Sequence, residues 1–551
     1  MPNVGGSNNL RTIVGTGIFE DQPDAIYYSN DQFYEERQQL IYQVTSDHYL
    51  PFAKARIHMD ASYTEGNSDI PDFRSLSTFL LNGQLLSGLG NLPNTRDYRY
   101  LGENLFDSGL SIEIPLAEKP GKSRKIKVGG AYTYLDREFN QFEYILGGTD
   151  SSGNILTGSY LIPDNNMDAF LNPSNFGIQS YDFQGLPKRR SNIIYIENDV
   201  PGNRTIGYSE VIAYYAMIDY SLSYKWRASG GLRVEHVDIF ADIYEYDRLG
   251  YAPGDIRRKA PVIISLANPG IINVTKLLPS LNVVYKYRDD ESKSINVRAN
   301  YSRTAAYPSI REITENNILD FELRSFVFGN STLKPADVDN FDLRWEGYFK
   351  NSSSISLSAF YKKFKNHIEL LNFNDANTWT NVDDSYVVGL EVEGVKKLTK
   401  NLEIRANVAV IESETNVILK SRKDVDGVIV LTPYDTLVRA MYGQAPYIVN
   451  AIVSYNFEKS RLNVTVSYNI QGKRLVIAAT ENVPDVYEMP RNVIDFKISK
   501  QLGKHFTTSL TVRDILNQPI QRRFETDTDE KLDFDSFRWG TSINLGLTYK
   551  L

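Results

Sequence analysis

Five histidines, His48, His58, His236, His367 and His505, are the only imidazoles in 551 residues, and there is no cysteine. Structural zinc sites place their ligands in close pairs a few residues apart, and these histidines show no such spacing. Without cysteine there is no disulfide framework and no thiol nucleophile. No phosphate-binding glycine loop, dinucleotide fingerprint or serine elbow occurs. Two acidic runs, Asp424-Val425-Asp426-Gly427 and Glu525-Thr526-Asp527-Thr528-Asp529-Glu530, could offer oxygen ligands to Ca²⁺. Neither has the ligand order of an EF-hand loop, so both read as solvated turns. Lys188-Arg189-Arg190 could meet an anionic ligand or lipopolysaccharide phosphates, and reads first as a solvated charge cluster. No catalytic set, metal site or cofactor site follows, and the chain is expected not to be an enzyme.

The elements are more telling than the motifs. The chain ends Ser542-Ile543-Asn544-Leu545-Gly546-Leu547-Thr548-Tyr549-Lys550-Leu551. Apolar and polar or small residues alternate strictly, the signature of a strand with one apolar face. A strand at a chain end needs a pairing partner, and closure of a barrel supplies one. The same alternation recurs along the chain. Leu402, Ile404, Ala406, Val408 and Val410 oppose Glu403, Arg405 and Asn407. Leu462, Val464, Val466, Tyr468 and Ile470 oppose Asn463, Thr465, Ser467, Asn469 and Gln471.

No run approaches the about 20 apolar residues of a membrane helix. Tyrosine and phenylalanine are abundant, with 36 and 26 copies, while mean hydropathy is mildly polar. Lipid on one face of each strand, water on the other and aromatic girdles at both interfaces would produce that balance. Several tyrosines, among them Tyr27, Tyr28, Tyr34, Tyr285, Tyr287, Tyr348, Tyr361, Tyr455, Tyr468 and Tyr549, fall near expected strand ends and read as girdle. A net charge of -8 argues against a nucleic-acid partner.

Connections alternate in length. Short turns recur at every second connection, as in Tyr224-Lys225, Asn351-Ser352-Ser353, Thr399-Lys400-Asn401 and Gly503-Lys504-His505. The others are long: 64–98, 147–205, 244–272, 305–335, 366–384, 412–446, 472–490 and 517–537. Short periplasmic turns and long extracellular loops give this alternation in an outer-membrane barrel. The expectation is an all-β, antiparallel transmembrane β-barrel of about 17–18 strands, each crossing in about ten residues, embedded in outer-membrane lipid.

Several segments, taken together and in order, resemble TonB-dependent outer-membrane receptors, particularly the Bacteroidetes type. Tyr301-Ser302-Arg303-Thr304-Ala305-Ala306-Tyr307-Pro308-Ser309-Ile310-Arg311-Glu312-Ile313 is the most specific. Gly329-Asn330-Ser331-Thr332-Leu333-Lys334-Pro335, Asn340-Phe341-Asp342-Leu343-Arg344-Trp345-Glu346 and Phe360-Tyr361-Lys362-Lys363-Phe364 follow it. Asn544, Gly546, Tyr549 and Leu551 are similar to the family's C-terminal barrel signal, with Leu551 in place of the usual Phe. The resemblance implies a barrel of about 22 strands, preceded by a signal peptide, a TonB-contacting segment and a plug domain. Met1-Pro2-Asn3-Val4-Gly5-Gly6-Ser7 has no signal-peptide character. Residues 1–551 therefore read as one partial barrel domain, with plug and first strands missing.

What the resemblance implies about function is active uptake of a scarce, bulky nutrient such as a siderophore–iron complex. TonB–ExbB–ExbD would act through the missing plug. The marks of the glycan-importing SusC branch are lacking, and a SusD-like lipoprotein partner stays undecided. A passive diffusion pore is the alternative; an outer-membrane enzyme and a soluble β-rich adhesin fit less well. Arg303 and Arg311-Glu312 flank the start of a long loop, as contacts to substrate or plug, or as an ion pair inside the lumen. Gly329, Asn330, Leu333, Lys334 and Pro335 are expected to shape the loop's return, since Gly and Pro set backbone angles. Pro308 belongs to the same motif.

Overall fold

The structure, a computed structural model, describes residues 3–19, 22–87, 94–116, 124–149, 155–156, 160–166, 169, 171–175, 180–181, 187–188, 193–198, 201–246, 261–262, 268–320, 325–350, 352–373, 376–425, 428–478, 484–525 and 532–550. Eighteen strands pair in chain order as one antiparallel meander. They are β1 Asn3–Phe19, β2 Gln22–Leu50, β3 Ala55–Leu81, β4 Thr95–Pro115, β5 Arg124–Thr149, β6 Arg204–Ser221, β7 Trp226–Ile243, β8 Gly270–Asp289 and β9 Lys293–Ala306. Then follow β10 Ala336–Phe349, β11 Ser353–Phe373, β12 Ala376–Lys397, β13 Leu402–Val425, β14 Tyr447–Phe457, β15 Leu462–Gln471, β16 Val493–Leu502, β17 Phe506–Arg513 and β18 Ser542–Tyr549. Among the described residues β1 and β18 are not paired with each other.

The register puts the expected faces together. Asn407 pairs with Asn450, which pairs with Asn469, and the two amides of the second pair hydrogen-bond at 2.5 Å. The neighbouring outward positions are exposed and apolar: Val408 and Val410 on β13, Leu390 on β12, Leu357 on β11 and Leu343 on β10. An exposed apolar face of this extent is a lipid-facing surface. Near its upper edge, ring stacks run from strand to strand. Tyr301 meets Phe341 at 5.0 Å, Phe341 meets Tyr361 at 6.2 Å and Tyr361 meets Tyr386 at 6.1 Å. Several of these girdle tyrosines donate to carboxylates: Tyr132 to Glu210 at 2.8 Å, Tyr301 to Asp339 at 2.9 Å and Tyr386 to Glu414 at 3.2 Å. A carboxylate cannot lie in hydrocarbon, so this belt marks the outer boundary of the apolar band. At the short-turn end, Trp226 packs on Tyr285 at 4.6 Å and Phe506 on Tyr549 at 5.0 Å.

Two expectations need correction. Strands are longer than a crossing requires: β2 has 29 residues and β3 has 27. At about 3.3 Å per residue β2 extends on the order of 95 Å, far beyond a bilayer core of about 30 Å. Much of 64–98, 366–384 and 412–446, expected as loop, is strand that continues above the membrane. Its mixed composition hid this, because polar Ser77, Glu369 and Thr415 are buried there as well as apolar Phe73, Phe79 and Leu370, so polarity does not alternate with the strand period. The second concerns 305–335, expected as a long extracellular loop: its described residues Ile310, Ile313 and Leu333 pack against the wall.

Candidate functional site

The segment between β9 and β10 begins with Pro308, which has no N–H to donate and so suits a chain leaving a strand. Ser309 then caps one helical turn, α1 (Ile310–Ile313). Its Oγ accepts from the Glu312 N–H at 3.3 Å, and Glu312 Oε2 accepts from the Ser309 N–H at 2.7 Å. This reciprocal capping box satisfies two backbone donors of a turn too short to be stable alone. The short turn holds because its apolar side chains are buried. Ile310, Ile313 and Leu333 pack with Val237, Ile239 and Ala241 of β7 and Ile272 of β8. On β7 those residues alternate with outward-facing Leu232, Val234 and His236, so the packed face is the lumen.

Glycines make the close approach possible. A Cβ on Gly207 would lie 2.5 Å from Ile310 Cγ2, and one on Gly270 would lie 2.5 Å from the Ile313 carbonyl oxygen. Gly329 sits tighter still: a Cβ there would lie 1.8 Å from the Thr314 carbonyl oxygen. Asn330 then ties the return together. Its Oδ1 accepts from the N–H and Oγ1 of Thr332 at 2.9 and 2.6 Å, and its Nδ2 donates to the Trp379 carbonyl at 2.9 Å. Lys334 exchanges backbone bonds with the Asn381 side chain at 2.8 and 2.9 Å. Pro335 precedes the first residue of β10. The hairpin Asn317–Asp320 with Ser325–Phe328 is held to β12 by Val327 and Phe328, which pair in parallel with Asn377 and Thr378. Tyr307 donates to Glu235 at 2.8 Å. Burial and that bond push the Tyr307 hydroxyl above its usual range.

The motif's arginines separate. Arg303 faces outward, not into the lumen: its Nε and Nη2 reach both oxygens of Asp339 at 2.9 Å, beside the Tyr301 girdle ring. β-strand alternation decides this, because Arg303 shares a face with Tyr301 and Phe341. Arg311 points the other way, into a lumen cavity of about 740 Å³. Across that cavity stand Glu35 and Arg37 of β2, Arg99 and Glu103 of β4 and Arg137 of β5. Arg311 lies 3.6 Å from Asp320, and Arg137 donates to Glu103 at 2.8 Å. All of these positions lie beyond the tyrosine belt, in the outer half of the lumen. Nothing in the sequence joined β2, β4 and β5 to Arg311, because they are brought together only by curvature of the sheet.

At the other end, Asn544 and Gly546 of β18 face the lumen side opposite Thr511 and Ser509, while Tyr549 packs outward on Phe506 and His505. Leu551 lies outside the described residues. Of the acidic runs, Glu525 pairs with Lys473 at 2.7 Å. The side chains of Asp424–Gly427, Thr526–Glu530 and Lys188–Arg190 lie outside what is described. Among the described residues no group of three or more His, Asp or Glu could hold a metal ion. One buried ionic cluster had no sequence signal: Glu369 accepts from Arg439 Nη2 at 2.5 Å, and His367 lies 3.5 Å away. Asp97 of β4 is also buried. Burial raises its carboxyl to about 7, with Arg99 opposing and Glu143 adding to the rise.

Eighteen antiparallel strands with an exposed apolar face and a polar face, and a segment packed on the polar side, form the wall of an outer-membrane β-barrel. The family model for the TonB dependent receptor-like β-barrel matches residues 3–515, and the chain belongs to that family. Its members are integral outer-membrane transporters, not enzymes. Among solved structures, the siderophore receptor PiuA from Acinetobacter baumannii is similar at a TM-score of 0.53 and 11% identity, covering 100% of this chain and 80% of that one. The ferric-catecholate import receptor Fiu from E. coli K12 is similar at 0.51 and 10%, covering 100% and 81%. No match was found among curated protein sequences.

Proposed function

We propose that this protein imports a scarce, bulky nutrient, such as a siderophore–iron complex, across the outer membrane. TonB, energised by ExbB–ExbD, drives the step through a plug domain acting within the barrel. The observation that carries this reading is that described residues of 307–335 pack on the inner face of the wall, with Arg311 and Ile318 lining a cavity of about 740 Å³ together with residues of β2, β4 and β5. A site that can hold a solute before passage suits receptor-type import better than free diffusion. The iron-siderophore part of the proposal draws on what PiuA and Fiu are named for. The test is growth of a deletion strain under iron limitation with single ferric siderophores as the iron source. Loss of growth on one of them, restored by the gene, supports the proposal; growth equal to the parent on every siderophore sinks its iron component.

A further inference from the structure

We propose that the outward face of upper β4 and β5 binds the oligosaccharide part of the surrounding lipopolysaccharide, through a strip of tyrosine rings beside two arginines that share one aspartate. Alternation places this face. Arg99 and Leu101 of β4 and Phe139 of β5 line the lumen cavity, so Tyr98, Tyr100, Phe142 and Tyr144 point away from it. Tyr98 pairs with Phe142, and Tyr100 with Asn140. The short strand Ile193–Glu197 extends the same face, with Glu197 opposite Tyr144 and Tyr195 opposite Leu146. From Leu146 to Asn140 the strip is about 20 Å long, room for several sugar rings. It looks away from the lumen, so the role is separate from import.

Height selects the partner. On β4, Asn104 stands in the tyrosine belt, accepting from Tyr63 at 3.0 Å and donating to Asp136 at 3.1 Å. Tyr98 lies six residues further out, about 20 Å along the strand and roughly 14 Å vertically at the usual tilt. The headgroup layer adds only about 5–8 Å on each side of the hydrocarbon. An outward side chain at this height stands above acyl chains and headgroups, level with the sugars of a glycolipid leaflet.

The groups match that chemistry. Tyr100 and Tyr195 are 41% and 44% exposed, and Tyr98 meets Tyr144 edge to face at 6.0 Å. A tyrosine offers an apolar ring to the C–H face of a pyranose and a hydroxyl to its polar edge. Beside the rings, Arg74 and Arg96 both donate to Asp72 through Nε and Nη2, at 3.1 and 2.6 Å and at 2.9 and 3.2 Å. Each keeps its Nη1 group for other acceptors. Arg96 also lies 5.5 Å from the Tyr98 ring centre. Arg74, Arg96, Asp72 and Glu197 sum to zero formal charge. Directional donors without net charge suit neutral hydroxyls better than an ion.

The probe is the dephosphorylated core oligosaccharide of lipopolysaccharide from cells that carry this gene. Saturation-transfer NMR reads its binding to the full chain in detergent micelles. Transfer to the sugar protons is expected with the unaltered protein. Tyr100→Ala and Tyr195→Ala, at exposed positions, should each weaken binding at least ~3-fold. Tyr287→Ala, exposed near the short-turn end, should leave it unchanged. Lipid A without core sugars should not compete. Folding of every variant is checked by its heat-dependent shift on SDS gels. Absence of transfer to the core oligosaccharide, unaltered affinity in both tyrosine variants, or competition by lipid A would overturn the assignment. Equally tight binding of maltohexaose would also overturn it, in favour of a free glycan.

Discussion

Replacing Ile313 by alanine should free the inturned segment while leaving the wall intact. Ile313 is fully buried, at 0% exposure, at the centre of the cluster made by Ile310, Leu333, Val237, Ile239, Ala241 and Ile272. Isoleucine-to-alanine changes in such sites cost about 2–5 kcal/mol. The loss falls on docking of 307–335, because the eighteen wall strands are held by their own ladders. At about 1.4 kcal/mol per factor of ten, the undocked population rises roughly 30-fold to several thousand-fold. Hydrogen exchange measures this directly. The amides of Thr314, bonded to the Ile310 carbonyl at 3.2 Å, and of Asn330, bonded to the Glu312 carbonyl at 2.6 Å, should exchange faster by that factor. Amides of β6 and β7 should keep their rates. Unchanged exchange at Thr314 and Asn330 would show that burial of Ile313 does not hold the segment. A uniform rise across the wall would show that segment and barrel are one cooperative unit.

Four further outcomes follow from the same geometry. Gly329→Ala puts a Cβ 1.8 Å from the Thr314 carbonyl oxygen, so the turn must shift at about 1–3 kcal/mol, read as faster exchange at Asn330. Glu369→Gln leaves Arg439 buried without its counter-charge; about 3–5 kcal/mol should be lost, seen as a lower temperature of the SDS-gel band shift. Arg303→Ala breaks a half-exposed outward pair and should cost under about 1 kcal/mol by the same assay. Asp97 gives a pH dependence. Its folded pKa is raised from 3.8 to about 7, so the folded protein holds a proton that the unfolded chain releases. Stability therefore falls as pH rises from about 4 to about 7, on the order of 4 kcal/mol in total. Denaturant unfolding across that window should lose this slope in Asp97→Asn.

The wall was largely legible. Period-two alternation at Leu402–Val410 and Leu462–Ile470 fixes which side meets lipid, and the short turns fix which strands are neighbours. Strand ends were not legible, because the upper parts of β2, β3 and β11 bury polar side chains such as Ser29, Asp31, Ser77 and Glu369 beside apolar Phe33, Phe73 and Leu370, so no apolar face alternates with a polar one. Arg303 and Arg311 lie eight positions apart in one motif, yet one faces lipid headgroups and the other the lumen. The turn at Pro308–Ser309 separates them, and sequence spacing does not encode its direction. The buried Glu369–Arg439 pair and the grouping of Arg37, Arg99 and Arg137 with Arg311 depend on contacts between distant strands. The alternation at Val237, Ile239 and Ala241 was visible, but its apolar inward side made sense only once α1 was seen to cover it.

The most direct test of the import mechanism is accumulation of radiolabelled iron, supplied as the siderophore that supports growth, in cells with and without a functional TonB. Accumulation that depends on both this gene and TonB is the result expected of an energised receptor. Accumulation at the same rate without TonB, following only the outside concentration, would contradict it and make the protein a passive pore.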